Sequence, residues 1–169
     1  QHLPDCQVVA VDVAAPCLML GAALANEDQA DNIQYRQADA RACGEASGSA
    51  ELVTSTMLLH EMPATHLGAL FAECWRMLRP GGAMRHLDFL PHVQPRHDAF
   101  LQWLHLGHAN RNNEAFMAEL LTVDLAGLLA EIGFVDISIE AFEEADNALS
   151  PEHPHWRFPW ATVSARKPV

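Results

Sequence analysis

Three short apolar runs, two ending in an acid and the third running into a His-Glu pair, constrain this chain more than any other feature. Residues 7–13 carry Val8, Val9 and Val11 up to Asp12, residues 33–37 lead to Asp39 and Ala40, and residues 51–58 lead to His60 and Glu61. Each run is too short for a helix of ordinary length and rich enough in β-branched residues to read as a strand. The first reads as a strand buried on both faces. Between the first two lies an Ala/Leu-rich helix over 17–25, led by Pro16, whose missing N–H costs nothing in a first helical turn. Residues 41–49 are small and polar, a loop by composition. Strands alternating with helices in this way predict an α/β fold built on a largely parallel sheet.

After Pro63 the periodicity changes to that of a helix. Leu67, Leu70, Phe71, Cys74 and Leu78 recur at i, i+3, i+4, i+7 and i+11, one apolar stripe, with Thr65 as the candidate N-cap. Arg76 and Arg79 suit the negative end of the helix dipole, and Pro80-Gly81-Gly82 ends the helix and lets the chain reverse into a strand over 83–89. Residues 96–113 read as one or two helices laid over the sheet. A helix over 124–132 has Asp124 as N-cap and Gly133 as C-cap. Residues 134–142 alternate apolar and polar as a half-exposed strand does, and residues 156–165 form the last strand, so the late strands pair as an antiparallel edge.

With 169 residues, half of them hydrophobic, the chain is one domain by length and can bury a real core. Its net charge of −12 comes with no cluster of Lys or Arg to neutralise phosphate, which excludes nucleic acid and membrane surface as expected partners. Cys6, Cys17, Cys43 and Cys74 stand apart, as buried thiols of a reducing, cytoplasmic protein do. The opening residues lack a basic n-region and an apolar h-region and so do not read as a signal peptide.

Asp12 and Asp39 end successive strands, where carboxylates can accept hydrogen bonds from a nucleotide lying across the strand ends. Either acid alone is equally a turn or cap residue. The order strand-acid, strand-acid, strand-His-Glu, then a helix closing on Leu78-Arg79-Pro80-Gly81-Gly82 resembles the second to fifth strand units of a class I S-adenosylmethionine-dependent methyltransferase. The resemblance covers nearly the whole chain. It implies a Rossmann-like sheet with helices on both faces and an antiparallel C-terminal edge, and transfer of a methyl group from S-adenosylmethionine to a small-molecule acceptor. Residues 1–90 would supply the cofactor strands, 91–123 a helical cover for the substrate, and 124–169 the last helix and strands.

Residue by residue, the resemblance implies cofactor contacts at Asp12 and Val13 (ribose), at Asp39 and Ala40 (adenine), and at Thr56. It implies a substrate pocket walled by His60, Glu61, Trp103, Asn112 and Asn113, with His60 and Asp88 as catalytic candidates. Asn112-Asn113-Glu114 accompanies the His-Glu pair in a subset of these proteins. The other reading of His60 is a helix-capping or backbone-bonded histidine. Two further classes stay open, a nicotinamide-dependent oxidoreductase, in which Asp39 has no role, and a non-catalytic remnant of the fold. In a dinucleotide-type unit the glycine-rich turn lies about 20 residues before the ribose acid, and eleven residues precede Asp12. The first strand and its loop are therefore expected to be missing, leaving unpaired edges on 7–13 and 51–58. No metal is expected from spacing, because Ala64 stands where a His-Glu-x-x-His motif needs its second histidine.

Overall fold

The computed structural model describes residues 6–93, 99–141 and 159–169. The chain divides into two compact units, Gln1–Ala46 and Ser47–Val169.

The first unit is a single βαβ arrangement: β1 (Val8–Asp12), α1 (Ala15–Glu27) and β2 (Ile33–Gln37). β1 and β2 pair in parallel, with Asp12 opposite Gln37. Pro16 sits in the first turn of α1, as its fixed φ favours. Tyr35 on β2 donates its hydroxyl to the Gly21 carbonyl at 2.9 Å. A Cβ at Gly21 would lie 3.0 Å from the Tyr35 ring, so glycine is what lets the helix come this close. The expected burial of β1 on both faces does not hold, since Val8 and Val9 are exposed. Burial of a strand depends on what covers it, and among the described residues of this unit only α1 does so. α1 itself has no fully buried residue, and its Met19 is 73% exposed. Cys6 and Cys17 are likewise exposed, and only Cys43 and Cys74 behave as buried thiols.

The second unit holds a four-stranded sheet in the order β3-β4-β6-β5, from β3 (Ala50–Thr56), β4 (Leu78–Phe89), β5 (Val135–Ala141) and β6 (Trp160–Arg166). β3 and β4 are parallel, whereas β6 runs antiparallel to both β4 and β5. The described strands thus form two sheets, a parallel pair and a mixed sheet with an antiparallel edge, and no described ladder joins β1 to β3. The rest of the unit is α2 (Ala64–Met77), α3 (Ala99–Asn112), α4 (Met117–Leu120) and α5 (Leu125–Ile132), with single 3-10 turns at Leu59–Glu61 and Pro91–Val93. Residues 96–98, 142 and 156–158 of the expected elements lie outside the described residues. Among the described residues no helix is long and apolar enough to cross a membrane.

α2 buries the expected stripe of Leu67, Leu70, Phe71 and Cys74. Its ends differ from expectation. Pro63, not Thr65, occupies the N-cap position, and no side chain caps the helix. At the other end Arg76 turns back to Glu73 (2.7 and 2.8 Å) and Arg79 pairs with Glu51 (3.0 Å). The free carbonyls of Trp75 and Leu78 instead accept from the Lys167 ammonium at 2.9 and 2.8 Å. A cation does sit at the negative end of the helix, but it comes from the far end of the chain.

β4 starts at Leu78, earlier than expected, because the Pro80-Gly81-Gly82 segment is a bulge within the strand and not a separate turn. Ala50 faces Leu78 and Leu52 faces Ala83, so the intervening residues loop out on the β4 side. Gly81 adopts φ +75°, and a Cβ at Gly82 would lie 3.0 Å from the Arg79 carbonyl oxygen and 3.2 Å from that of Glu51. α5 follows its local signals: Asp124 accepts from the Gly127 amide at 2.9 Å, and Gly133 closes the helix at φ 107°.

Candidate active site

The second unit's carboxyl-end loops assemble a buried His-Asp pair. After β3 the chain passes Met57, a non-glycine residue at φ 58°, whose amide donates to the Leu87 carbonyl at 2.9 Å. The turn Leu59–Glu61 then places His60 against Asp88 near the end of β4. His60 and Asp88 are both completely buried. The Asp88 carboxylate accepts from the Leu59 amide (2.7 Å, Oδ2), the Phe89 amide (2.7 Å, Oδ1) and His60 Nδ1 (2.5 Å, Oδ1). Because a carboxylate only accepts, Nδ1 carries the proton, and in the neutral ring the lone pair is on Nε2.

Nε2 is buried without a hydrogen-bond partner. It faces two carboxylates, Glu61 Oε1 at 3.6 Å and Glu114 Oε2 at 3.8 Å. Burial opposes the imidazolium, but the hydrogen bond and charge of Asp88, with the charges of Glu61 and Glu114, outweigh it and raise the His60 pKa above its ordinary value. Burial and the neighbouring Glu114 carboxylate raise the pKa of Glu61. The wall beside His60 is aromatic: Phe89 stacks at 5.2 Å from His60 and 4.5 Å from Trp160, and packs with Ala109 and Met117. His105 meets Phe89 edge-on at 6.3 Å, and burial, with the positive field of His108 and His60, lowers its pKa to about 4. It is a neutral part of that wall at pH 7.

Glu114 owes its position to the end of α3. Asn113 takes the left-handed conformation (φ 59°), and the Glu114 amide closes back on the Ala109 carbonyl at 2.9 Å. This is a helix stop of the kind asparagine tolerates. The resemblance implies Asn112 and Asn113 as substrate contacts. The structure makes Asn113 the exposed helix stop, pairs the exposed Asn112 amide with His108, and leaves Trp103 67% exposed. From this segment it is Glu114 that reaches His60. The Asn-Asn-Glu motif was the available signal, since an asparagine at a helix end is what aims the residue after it.

In the first unit Asp12 and Asp39 lie at the same end of two adjacent parallel strands, with the Ala38 amide donating to the Asp12 carbonyl at 3.1 Å. Asp12 is exposed and accepts from the Ala14 amide through Oδ1 at 2.7 Å. Asp39 holds its own loop, accepting from the Arg41 amide (2.8 Å) and from the Arg41 guanidinium at 2.6 to 3.1 Å. Asp12 keeps acceptor capacity beyond this bond, because a carboxylate offers about four lone-pair sites, whereas the four bonds from Arg41 match that number at Asp39. The carboxyl ends of neighbouring parallel strands are where open α/β sheets bind nucleotides. Val13 is exposed, Ala40 is half-buried, and Thr56 ends β3 opposite Leu87 on an exposed face.

Residues 1–82 match the family model of a methyltransferase domain. No curated protein matches the sequence. Among solved structures, a possible exported protein from Bordetella parapertussis is similar at 23% identity and TM-score 0.66, over 96% of this chain and 54% of that one. The S-adenosylmethionine-dependent methyltransferase SibL in its apo form is similar at 17% identity and TM-score 0.66, over 98% and 45%. Phosphoethanolamine N-methyltransferase 2 of Haemonchus contortus, in complex with S-adenosyl-L-methionine, is similar at 17% identity and TM-score 0.67, over 96% and 44%. The chain therefore spans about half the length of these structures.

Proposed function

On the premise that the family match and the fold are those of a class I S-adenosylmethionine-dependent methyltransferase domain, we propose that the protein methylates a small-molecule acceptor, with His60 as the base and Asp88 as its orienting partner. The carrying observation is the buried His60 Nε2, left without a hydrogen bond while Nδ1 is tied to Asp88.

Asp12 and Asp39 would hold the ribose hydroxyls and adenine amino group of S-adenosylmethionine, with the backbone of Val13 and Ala40 beside them, and Thr56 is a further cofactor candidate. The bound cofactor supplies a sulfonium methyl, an electrophile already activated for in-line displacement. What remains for the protein is alignment, which in well-oriented systems contributes about 7–11 kcal/mol, and removal of the acceptor's proton. An acceptor O–H or N–H gives its proton to His60 Nε2, and Asp88 stabilises the resulting imidazolium as it holds the ring. Glu61, whose side chain is more than half exposed, stands at the approach to Nε2. Phe89 and Trp160 exclude water from the base.

His60→Ala is expected to lower kcat by about 10²–10⁴ and to leave cofactor affinity nearly unchanged. Steady-state kinetics and calorimetric titration of cofactor on one preparation check this. A folded His60→Ala protein with wild-type turnover would remove the base from the mechanism.

A further inference from the structure

Beyond methyl transfer, we propose that His60 Nε2, Glu61 and Glu114 form a binding site for one divalent transition-metal cation. The three ligand atoms lie within 4.8 Å of one another. The separations from Nε2 to the two carboxylate oxygens, 3.6 and 3.8 Å, are near the spacing of two tetrahedral ligands. Two bonds of roughly 2.1 Å at the tetrahedral angle place their donors about 3.4 Å apart. Small side-chain shifts therefore close the site on an ion.

Acidic pairs are common on protein surfaces, and this pair alone would mean little. The second observation is the imidazole. His60 is fully buried, and its one unpartnered polar atom is aimed between the two carboxylates. Its other nitrogen donates to Asp88, the carboxylate–histidine arrangement that fixes a ligating ring in the required tautomer and makes its free nitrogen a better donor. Asp88 is pinned in turn by two backbone amides, so the ligand is oriented before any ion arrives. Among the described residues no Lys or Arg pairs with Glu61 or Glu114, whose described ion pairs all run to His60. Among the described residues, a cation would join three groups whose facing atoms are paired only with one another.

One imidazole and two carboxylates suit Zn²⁺ or Mn²⁺ better than a soft ion that needs thiolate, and three protein ligands leave a position open to water or another oxygen ligand. Spacing within the His-Glu motif gave no hint of this, because the third ligand arrives from a distant helix end.

The test is equilibrium dialysis of the whole chain against Zn²⁺, and separately Mn²⁺, followed by metal analysis, without cofactor or acceptor. One equivalent of at least one ion should be retained. Glu114→Gln and Glu61→Gln, which preserve side-chain volume, should each weaken binding tenfold or more without changing the melting temperature of the metal-free protein. On titration with Zn²⁺, the His60 ring resonances should shift in the wild type and stay still in Glu114→Gln. No retention of either ion at millimolar concentration would overturn the proposal, and so would equal retention by both variants and the wild type, which would place the ion on other histidines. An ion on Nε2 would occupy the lone pair that the base uses, so the metal-loaded and proton-accepting forms of His60 are exclusive; the measurement uses no methyl transfer, so its failure leaves that reading standing and a failure of methyl transfer leaves this one standing.

Discussion

The two units differ in what their side chains are used for. Among the described residues, the first unit contributes one side chain, Cys43, to the buried set, and leaves Val8, Val9, Met19, Leu20 and Leu24 exposed. The second holds every other buried residue, including Leu67, Phe71, Leu78, Met84 and Leu129, and buries charge and polarity with them at Glu73, His86, Asp88 and His105. The proposed cofactor acids sit in the thinly packed unit, Asp12 exposed and Asp39 half-buried. The candidate base sits in the densely packed one. Recognition through an exposed carboxylate tolerates a shallow scaffold, whereas a base that must keep one tautomer and one direction needs a dry, close-packed surround.

The contrast breaks most sharply if truncations in the two units have similar costs. Phe71→Ala, which empties a fully buried site against His86, should lower stability by about 3–5 kcal/mol. Leu20→Ala on α1 should stay within about 0.5 kcal/mol. Chemical denaturation of both variants checks the pair, and a loss at Leu20 comparable to that at Phe71 would show that the first unit has a core of its own.

Acid sharpens the same contrast. Burial pushes the His86 pKa down to about 4, although the negative charge of Asp88 works to raise it, so the folded protein resists a proton that the unfolded chain accepts near pH 6.5. Between those values the unfolded state binds more protons, and stability therefore falls as the pH drops from about 6.5 to 4. At full extent this single histidine contributes about 3 kcal/mol, at 1.36 kcal/mol for each pKa unit. Replacing it by Phe removes the titration and frees a Ser55 hydroxyl that is partly exposed to water. Denaturation curves from pH 7 to 4 should show a shallower acid slope in His86→Phe. An unchanged slope would mean that His86 takes up its proton at the same pH in the folded and unfolded states.

A smaller effect than at Phe71 or His86 is expected at Asp12. Asp12→Ala should weaken S-adenosylmethionine by about 2 kcal/mol, one or two charge-assisted bonds of roughly 1.5–3 kcal/mol each, partly compensated by water. Its effect on stability should be smaller, because the only side-chain bond described for it is to the Ala14 amide. Calorimetry and denaturation measured together decide this, and native affinity in the variant would remove Asp12 from the cofactor site.

Local signals in the sequence match the structure more closely than distant ones. β2 occupies the expected 33–37, and α5 begins and ends on the expected Asp124 and Gly133, since a cap is settled within four residues of the chain. The bulge at Gly81-Gly82 could not be read, because it is knitted to the last strand: the Gly81 amide donates to the Lys167 carbonyl at 3.1 Å, and the Lys167 amide to that of Gly82 at 2.9 Å. The arginines near the end of α2 had the right charge in the right place and found nearer acids. β1 had a sequence suited to burial, but burial is a property of neighbours. His60 and Asp88 were both legible as strand-end candidates, whereas their bond across 28 positions and the approach of Glu114 required the fold.

Asp88 has a mechanical consequence beyond its charge. One of its oxygens takes the amide of its own strand and the ring of His60, and the other takes the amide just before that ring. The turn and the strand are thereby riveted at a single point, and the imidazole cannot swivel without pulling on the backbone of β4. Its bearing is set by the ladder between β3 and β4, so a slip of one residue in that ladder would misdirect the ring even with every side chain of the site intact.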